Sequence, residues 1–219
     1  RIDVFFVHRF DEQTRLDETL RALETLVQQG KVLYLGASNF AAWQVMKALG
    51  RQRAEGWTPF HVLQPMYNLT KRQAEVELLP MARSEGLGVL SYSPLGGGLL
   101  TGKYGVDQRP DDGRLVDNPM YQTRYGAEVH YEVAERFTHF AEEHGYDPVA
   151  LAVAWVAHHP AITAPIIGAR SPEQLEGSLG ALDIDMSEDL RAEISALAPT
   201  PPPATDRVEE RSEHTYGDR

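Results

Sequence analysis

Polar and titratable side chains with the potential for chemistry each follow a short apolar run in this sequence. His8 comes after "IDVFFV", Asn39 after "VLYLGAS", Gln64 ends "FHVLQ" and Tyr92 ends "LGVLSY". An imidazole is an acid, a base or a hydrogen-bond donor to a carbonyl oxygen. Side-chain amides bind planar amides through matched donors and acceptors, and a tyrosine ring offers a flat face for stacking. Brought together, these groups would form a ligand site.

The elements that must position these groups are alternating strands and helices. The strand-end positions His8, Ser38, Gln64 and Ser91 recur about every 30 residues, the length of a βα unit, and Gly168 ends a last strand after a longer gap. Strands that alternate with helices predict a parallel sheet. Its five strands are predicted within 2–7, "KVLYLGASNF", "FHVLQ", "LGVLSYSPL" and "AITAPIIGA".

Helices are predicted where apolar residues recur at three- and four-residue spacing. Leu16, Leu20, Leu23 and Val27 define the first helix, which Asp or Thr near its start caps and Gly30 ends. Further helices are predicted over 41–50, 71–85, 128–145, 148–159, 172–180 and 187–197. Residues 102–127, rich in Gly, Pro, Asp and Asn, are predicted as a loop. The Pro-rich, acidic tail 199–219 is predicted to be extended or disordered.

An open doubly wound sheet and a closed (β/α)8 barrel both fit this pattern. In either fold the carboxyl ends of parallel strands meet on one rim, where ligands bind. Two other interpretations stand beside a ligand site. His8 fits a core histidine bonded to a neighbouring main-chain group, and Ser38 or Asn39 fits the cap of the following helix.

Two glycine-rich segments add a possible phosphate site to this rim. In "SYSPLGGGLLTGKYG", Gly96, Gly97 and Gly98 allow close backbone approach and Lys103 adds a positive charge, although the alternative is a flexible turn. In "IIGARSPEQL", Arg170 and the backbone amides of a helix start predict an anion site, and the alternative is a plain Ser–Pro helix start.

Composition excludes several classes of function. The 219 residues carry a net charge of −11 and no cysteine, which argues against a nucleic-acid partner or an anionic membrane surface and excludes disulfides and thiolate chemistry. We find no membrane-length apolar run, no secretory signal, no metal-ligand spacing and no Ser/His/Asp order typical of a hydrolase. His158 and His159, at a helix end, are interpreted as structural. Cytoplasmic location is expected.

Taken together and in order, five motifs resemble the aldo-keto reductases, and in particular the bacterial branch related to potassium-channel β subunits. These motifs are "IDVFFVHRFD", "GKVLYLGASNF", "QPMYNL", "YSPLGGGLLTGKY" and "PIIGARSPEQLEGSLGALD". The resemblance covers 2–198, so a reductase domain is expected over 1–198 and a tail over 199–219. It implies a (β/α)8 barrel, of which about five βα units are present, and reduction of aldehydes or ketones with NADP(H) rather than NAD. A small-molecule carbonyl substrate is implied.

The resemblance also implies roles for matching positions. His8 matches the histidine that orients the substrate carbonyl, and Tyr92 matches the ring that stacks on the nicotinamide. The carboxamide-binding positions match Ser38, Asn39 and Gln64. The pyrophosphate loop matches Ser93, Pro94, Leu95, Gly97 and Lys103. The adenosine end matches Gly168, Arg170 and Gln174, where Arg170 would pair with a 2′-phosphate.

Departures from the family pattern define the alternatives. Gly177 and Ser178 stand where family members often carry adenine-contacting acidic and asparagine residues. The catalytic aspartate, tyrosine and lysine belong to the first three strands of the family, and this chain is expected to begin at the fourth. A regulatory sensor that binds the nucleotide without turnover, and an inactive remnant, are therefore alternatives to the reductase, and a lyase is a weaker one because no strand ends on a Schiff-base lysine. With two open sheet edges, the chain alone is expected to be marginally stable or to pair with another chain.

Overall fold

The chain folds around one parallel sheet of five strands. A computed structural model describes residues 1–205 and 207. The strands are β1 (Ile2–Val7), β2 (Val32–Ser38), β3 (Phe60–Gln64), β4 (Gly88–Tyr92) and β5 (Ala164–Ile166). All neighbours pair in parallel, in the order β1-β2-β3-β4-β5, so the sheet is a curled half-barrel. The predicted partial (β/α)8 barrel is confirmed.

Helices connect the strands and cover one face of the sheet. They are α1 (Leu16–Gln28), α2 (Ala42–Glu55), α3 (Leu78–Glu85), α4 (Arg114–Asp117), α5 (Pro119–Tyr125), α6 (Glu128–Glu143), α7 (Pro148–Ala157), α8 (Pro172–Leu179) and α9 (Glu188–Ala196). Three short 3₁₀ helices lie at Gln73–Glu75, Gly96–Gly98 and Gly180–Asp183.

Four local predictions were wrong. The segment 102–127 is not all loop, since α4 and α5 form there and Asn118 caps α5 through the main-chain N–H of Met120. The helix predicted over 71–85 begins at Leu78, after a 3₁₀ turn. No side chain in the described part of the chain caps α1, because Asp11 accepts from Thr14 and Gln13 in a turn before it. The last strand spans three residues, far fewer than its apolar run.

The hydrophobic core lies between the sheet and the helices. Leu35, Ala37, Leu63 and Val89 point from the sheet into this layer and are at most 3% exposed. The alternate strand residues lie on the opposite face because successive side chains point to opposite sides. The last described part of the predicted tail, 199–205 and 207, forms neither helix nor strand, and the rest of that tail lies outside the described residues.

The opposite face of the sheet, here called the open face, is not covered by any helix of residues 1–205 and 207. Phe6 lies across Gly36 so closely that a Cβ on Gly36 would be 2.5 Å from the ring. Farther along this face, Ile2, Tyr34 and Ile166 are 48%, 50% and 40% exposed. Large apolar side chains are usually buried, so the expectation that the chain alone associates with another chain remains a prediction with a structural basis.

A buried polar network joins the segment after β3 to the end of the chain. The Tyr67 hydroxyl donates to Glu75 (2.6 Å) and accepts from Arg191 on α9 (3.0 Å). Arg72 binds both carboxylate oxygens of Glu75 and donates to the carbonyl of Ser195 (2.8 Å). The Tyr67 ring stacks on Trp155 of α7, which is itself buried. We call these residues, in which one carboxylate lies near two arginines, the Glu75 network.

Within the described part of the chain, no helix combines the length and the apolar character that a membrane crossing requires.

Candidate active site

The carboxyl ends of β2, β3 and β4 form the rim that carries the candidate site. Ser38 pairs with Gln64 in the parallel ladder, and Tyr92 is bridged to Met66, two residues beyond the end of β3. Immediately after their strands, Asn39 and Ser93 both have left-handed backbone, with φ of 55° and 58°. Residues with a Cβ rarely adopt this conformation, and they do so mainly at sites that need it. Two strands of this rim, β2 and β4, are therefore each followed by a residue in this unusual conformation.

A chain of hydrogen bonds connects the ends of four strands, β1 to β4. The Asn39 amide nitrogen donates to the main-chain oxygen of His8 (2.8 Å) and to the Ser38 hydroxyl (3.0 Å), and the Asn39 oxygen accepts from the Tyr92 hydroxyl (2.7 Å). Ser38 in turn donates to the main-chain oxygen of Gln64 (2.8 Å). The helix-cap interpretation of Ser38 and Asn39 is wrong, because α2 starts instead with the Gln44 side chain accepting from the Ala41 N–H.

The Gln64 side chain is the amide that the rim leaves free. Asn39 uses both amide hydrogens within the chain, whereas the Gln64 amide has no hydrogen-bond partner among residues 1–205 and 207. A cavity of about 210 Å³ opens beside it, lined also by Asn39, Pro65 and Met66. His8 is exposed rather than a buried core residue. An amide, an imidazole and a ring thus stand open at one rim.

Buried Asn68 holds the turn that follows Tyr92. It is fully buried, and its amide nitrogen donates to the Ser93 carbonyl (2.9 Å) and to the Tyr125 hydroxyl (3.1 Å). Its oxygen accepts from the N–H and hydroxyl of Thr70. The sequence motif "QPMYNL" contains Asn68, but its role depends on contacts with residues 25 and 57 positions away, which no local pattern reveals.

The glycine-rich segment after β4 is an ordered turn. All three of Gly96, Gly97 and Gly98 have positive φ, and a Cβ on Gly97 would lie 2.7 Å from the ring of Tyr121 on α5. Pro94 is buried, Leu95 is partly buried, and Lys103 extends into solvent. The unexpected helix α5 therefore packs on the predicted phosphate loop, and the flexible-turn alternative does not describe this segment.

The start of α8 has a side-chain cap, and the main chain just before it is accessible. Ser171 accepts from the N–H of Gln174 (3.4 Å), and the Gln174 side chain accepts from the N–H of Arg170 (3.0 Å). The Arg170 side chain is exposed. At Gly168, a Cβ would meet no atom within 4 Å. This helix start is a regular Ser–Pro start, and it also leaves room for a ligand at Gly168 and Arg170.

Gly177 and Ser178, the two departures from the family pattern at the expected adenine end, are partly or fully buried in the structure. Ser178 is 3% exposed and its hydroxyl donates to the Gln174 carbonyl (3.4 Å). Gly177 packs toward Val149, 3.9 Å from the position of its missing Cβ. Since neither position presents a polar group to solvent, any adenine contact at this end comes from other residues.

Burial sets the protonation of groups near the rim. It raises the pKa of Tyr92, with a smaller opposing effect from Arg124, so Tyr92 is a neutral hydroxyl that donates to Asn39. Burial also lowers the pKa of His130 and His159 to about 4, helped by the charge of Lys71 at His130 and of Arg191 at His159. Main-chain contacts hold both His158 and His159, in agreement with their predicted structural role.

These two histidines predict a loss of stability in mild acid. The unfolded chain takes up their protons near pH 6.5, whereas the folded chain does so near pH 4, so stability falls as the pH drops through that window. Since both rings are partly exposed, solvent screening reduces the effect to about 1–2 kcal/mol per ring. Urea unfolding at several pH values measures it. We expect His130→Gln/His159→Gln to flatten the slope, with His139→Gln, an exposed ring on α6, as control. An equal slope in both variants would contradict the assignment.

Comparison with known proteins decides the family. The aldo/keto reductase family model matches residues 1–199. The chain belongs to the aldo/keto reductase family. Among curated relatives, "Uncharacterized oxidoreductase YrpG" of Bacillus subtilis is 36% identical over 91% of this chain and 59% of its own length. "Aflatoxin B1 aldehyde reductase member 2" of Mus musculus is 39% identical (84% and 54%), and "Aldo-keto reductase family 7 member A3" of Homo sapiens is 38% identical (84% and 60%).

This aldo/keto reductase chain spans between half and two thirds of the length of those three relatives. The general oxidoreductase character of the family agrees with the resemblance found in the sequence. Its particular relation to channel β subunits and the identity of the nucleotide stay predictions. In the part of the chain that the structure describes, no cluster of His, Asp and Glu has the arrangement of a metal site.

Proposed function

We propose that this rim binds NADP(H) and serves the reduction of small aldehydes or ketones to alcohols. The observation that carries the proposal is the hydrogen-bonded chain from His8 through Asn39 to Tyr92, beside the free amide of Gln64. The residues fit a nicotinamide nucleotide: the side-chain amide of Gln64 lacks a hydrogen-bond partner in residues 1–205 and 207, and a Cβ on Gly168 would meet no described atom within 4 Å. Family membership and the oxidoreductase names of relatives support it.

Each residue has a stated part in this proposal. The Gln64 amide would hold the carboxamide of the nicotinamide through paired hydrogen bonds, and the face of Tyr92 would support the ring while Asn39 fixes its hydroxyl. His8 would hydrogen-bond the oxygen of the substrate carbonyl and stabilise the charge that develops there. The nucleotide itself supplies the hydride. Arg170 would pair with the 2′-phosphate, where charge-assisted bonds to guanidinium are strong.

Catalytic turnover is proposed for a chain that extends to the length of the relatives, and not for these 219 residues alone. The aspartate, tyrosine and lysine that the resemblance expects are absent from the motifs found in this sequence. Cofactor binding is therefore the property to test on these 219 residues. Binding with no turnover of any aldehyde, by a chain extended to the length of its relatives, would favour the sensor alternative.

The test is titration with NADPH and NADH, followed by quenching of nicotinamide fluorescence. We expect NADPH to bind more tightly than NADH, and Arg170→Gln to weaken NADPH binding about tenfold while leaving NADH unchanged, because one charge-assisted contact is lost. Arg21→Gln, an exposed arginine on α1, is the matched control. Failure to bind either nucleotide by the folded chain would remove the proposed function. Equal affinities, unaffected by Arg170→Gln, would remove the NADP preference.

A further inference from the structure

A second cavity lies behind the segment that follows β3. Its volume is about 490 Å³, within the range of small-molecule sites. One wall is the segment from Met66 to Ala74, the second is α6 around His130 and Val133, and the third is the tail at Pro199–Pro202. None of the residues proposed to hold the nucleotide lines it. This cavity is therefore separate from the rim site, although Met66, Gln73 and Ala74 line both cavities.

Lys71 brings a positive charge to this cavity, and no carboxylate among residues 1–205 and 207 is paired with it. Lys71 lies in its wall, with Nζ 5.6 Å from the centre of the Tyr125 ring. His130 contacts the same ring at 5.9 Å between ring centres. Burial and the nearby charge of Arg124 lower the pKa of Lys71, and no carboxylate in the described chain raises it. In a protein of net charge −11, an unmatched lysine beside two other basic side chains is unusual.

The neighbouring arginine is paired within the fold, whereas Lys71 has no carboxylate partner among the residues that the structure describes. Arg72 also lines the cavity, but Glu75 binds its guanidinium through two oxygens, and the Ser195 carbonyl takes a third contact. The polar groups of Arg72 are thus used within the fold. Lys71 has an aromatic face and the like charge of Arg124 as neighbours, and a partly buried cation in that setting favours an anionic partner.

The backbone that carries Lys71 is held in place before any ligand arrives. Asn68 and Lys71 exchange two main-chain hydrogen bonds, of 3.0 and 3.4 Å. The Asn68 side chain also accepts from Thr70 inside that turn. The main chain therefore loses little freedom when a ligand binds, and only the flexible Lys71 side chain remains to be ordered. Gln73, exposed at the opening, adds amide donors.

We propose that this cavity binds a small organic anion, with an apolar body against Met66, Val133 and the prolines and a carboxylate or phosphate on Lys71 and Gln73. The mixed character of the walls sets this class of ligand. Leu69, Val129 and Val133 provide apolar contact, whereas Lys71 and the Glu75-paired Arg72 bring the charged groups. The inference does not depend on the identity of the nucleotide at the rim.

The experiment is calorimetric titration of the nucleotide-free chain with benzoate and with phenyl phosphate, and with benzyl alcohol as a neutral molecule of similar body. We expect both anions to bind and the alcohol not to. Lys71→Gln should weaken anion binding about tenfold or more, since a charge-assisted contact is lost. Gln73→Glu, at an exposed position, should weaken it as well by repulsion, and it serves as the second variant should Lys71→Gln fail to fold. Lys47→Gln, an exposed lysine on α2, is the matched control.

The outcomes separate this site from the nucleotide site. Loss of binding in Lys71→Gln and Gln73→Glu, with normal binding in Lys47→Gln and Arg170→Gln, supports the proposal, and the tighter of the two anions identifies the head group. Loss in Arg170→Gln with normal binding in Lys71→Gln would place the anion at the nucleotide phosphate position and overturn it. Equal binding of benzyl alcohol, or no binding by the wild-type chain, would overturn it too. NADPH titration of the same variants tests the proposed function independently.

Discussion

Replacement of Glu75 by Ala is expected to lower the free energy of unfolding by about 3 kcal/mol, because a half-buried carboxylate holds two arginines in place. Arg72 loses both of its contacts to the carboxylate, and the Tyr67 hydroxyl, which Arg191 also contacts, loses its acceptor. The cations then remain in the fold without a counter-charge, which costs more than the pair itself contributes. Urea unfolding at pH 7 measures the loss.

The matched control is Glu77→Ala. Glu77 is exposed, lies two residues further along, and makes no ion pair in the described chain, so a change below about 0.5 kcal/mol is expected. Glu75→Gln keeps the size and one acceptor, and should fall between the two. Similar unfolding energies for Glu75→Ala and Glu77→Ala would show that the Glu75 network contributes little.

The contribution of the Glu75 network to the free energy of unfolding also depends on pH. Burial alone would raise the pKa of Glu75, but hydrogen bonds from Arg72 and Tyr67 outweigh it and hold the pKa below the ordinary 4.5. A depressed carboxyl pKa stabilises the fold above the unfolded-state value, and this contribution is lost as the pH falls through the lower folded-state value. Glu75→Gln should therefore abolish the part of the loss of stability that occurs below about pH 4.5 in the wild type. This pH window is lower than that of the two histidines.

Removal of the Asn39 side chain is expected to weaken NADPH binding about 10- to 100-fold, because the Tyr92 ring and the His8 main chain lose their common partner. Asn39→Gly tests the side chain itself, since glycine adopts the φ of 55° without strain. Asn39→Ala adds a strained backbone and should lose about 1 kcal/mol more of unfolding free energy. Fluorescence titration with NADPH and urea unfolding separate the two effects.

Gln28→Ala is the control for loss of an amide. Gln28 is an exposed residue at the end of α1, where its side chain donates to Glu24 (3.1 Å), far from the rim in the fold. NADPH affinity should not change. An Asn39→Gly protein that folds normally and binds NADPH as tightly as the wild type would show that the hydrogen bond from Tyr92 to Asn39 has no part in binding.

Much of the fold followed from local pattern. Leu20 and Leu23 of α1 are buried as their spacing predicted, and each predicted strand lies in the parallel sheet. The rim followed too, because parallel strands bring their ends together whatever the loops do. Helix α5 was missed because its signals are a capping Asn118 and Pro119 inside a stretch rich in turn formers. Its stability comes from buried Tyr125 rather than from a repeating apolar face.

The residue types at the rim could be predicted from the sequence, but the hydrogen bonds between them could not. Ser38 and Asn39 fit a helix cap as well as a ligand site, and what decided between them is a contact with His8, 31 residues earlier. Tyr92 was predicted as a ring for stacking, and its hydroxyl turned out to be held by Asn39. Asn68 and the unmatched Lys71 depend on tertiary packing around Tyr125, which has no signature in a single sequence.

The long sequence separation within the Glu75 network has a consequence for biosynthesis. The hydrogen bond between Tyr67 and Arg191 cannot form until Arg191, which is 124 positions later in the chain, has been synthesised. At translation rates of ~5–20 residues per second, the interval is on the order of 10 s. During that time Tyr67, Arg72 and Glu75 are outside the ribosome without α9. Nascent chains stalled before residue 188 should therefore be cleaved by protease near this segment, whereas chains released after α9 should resist.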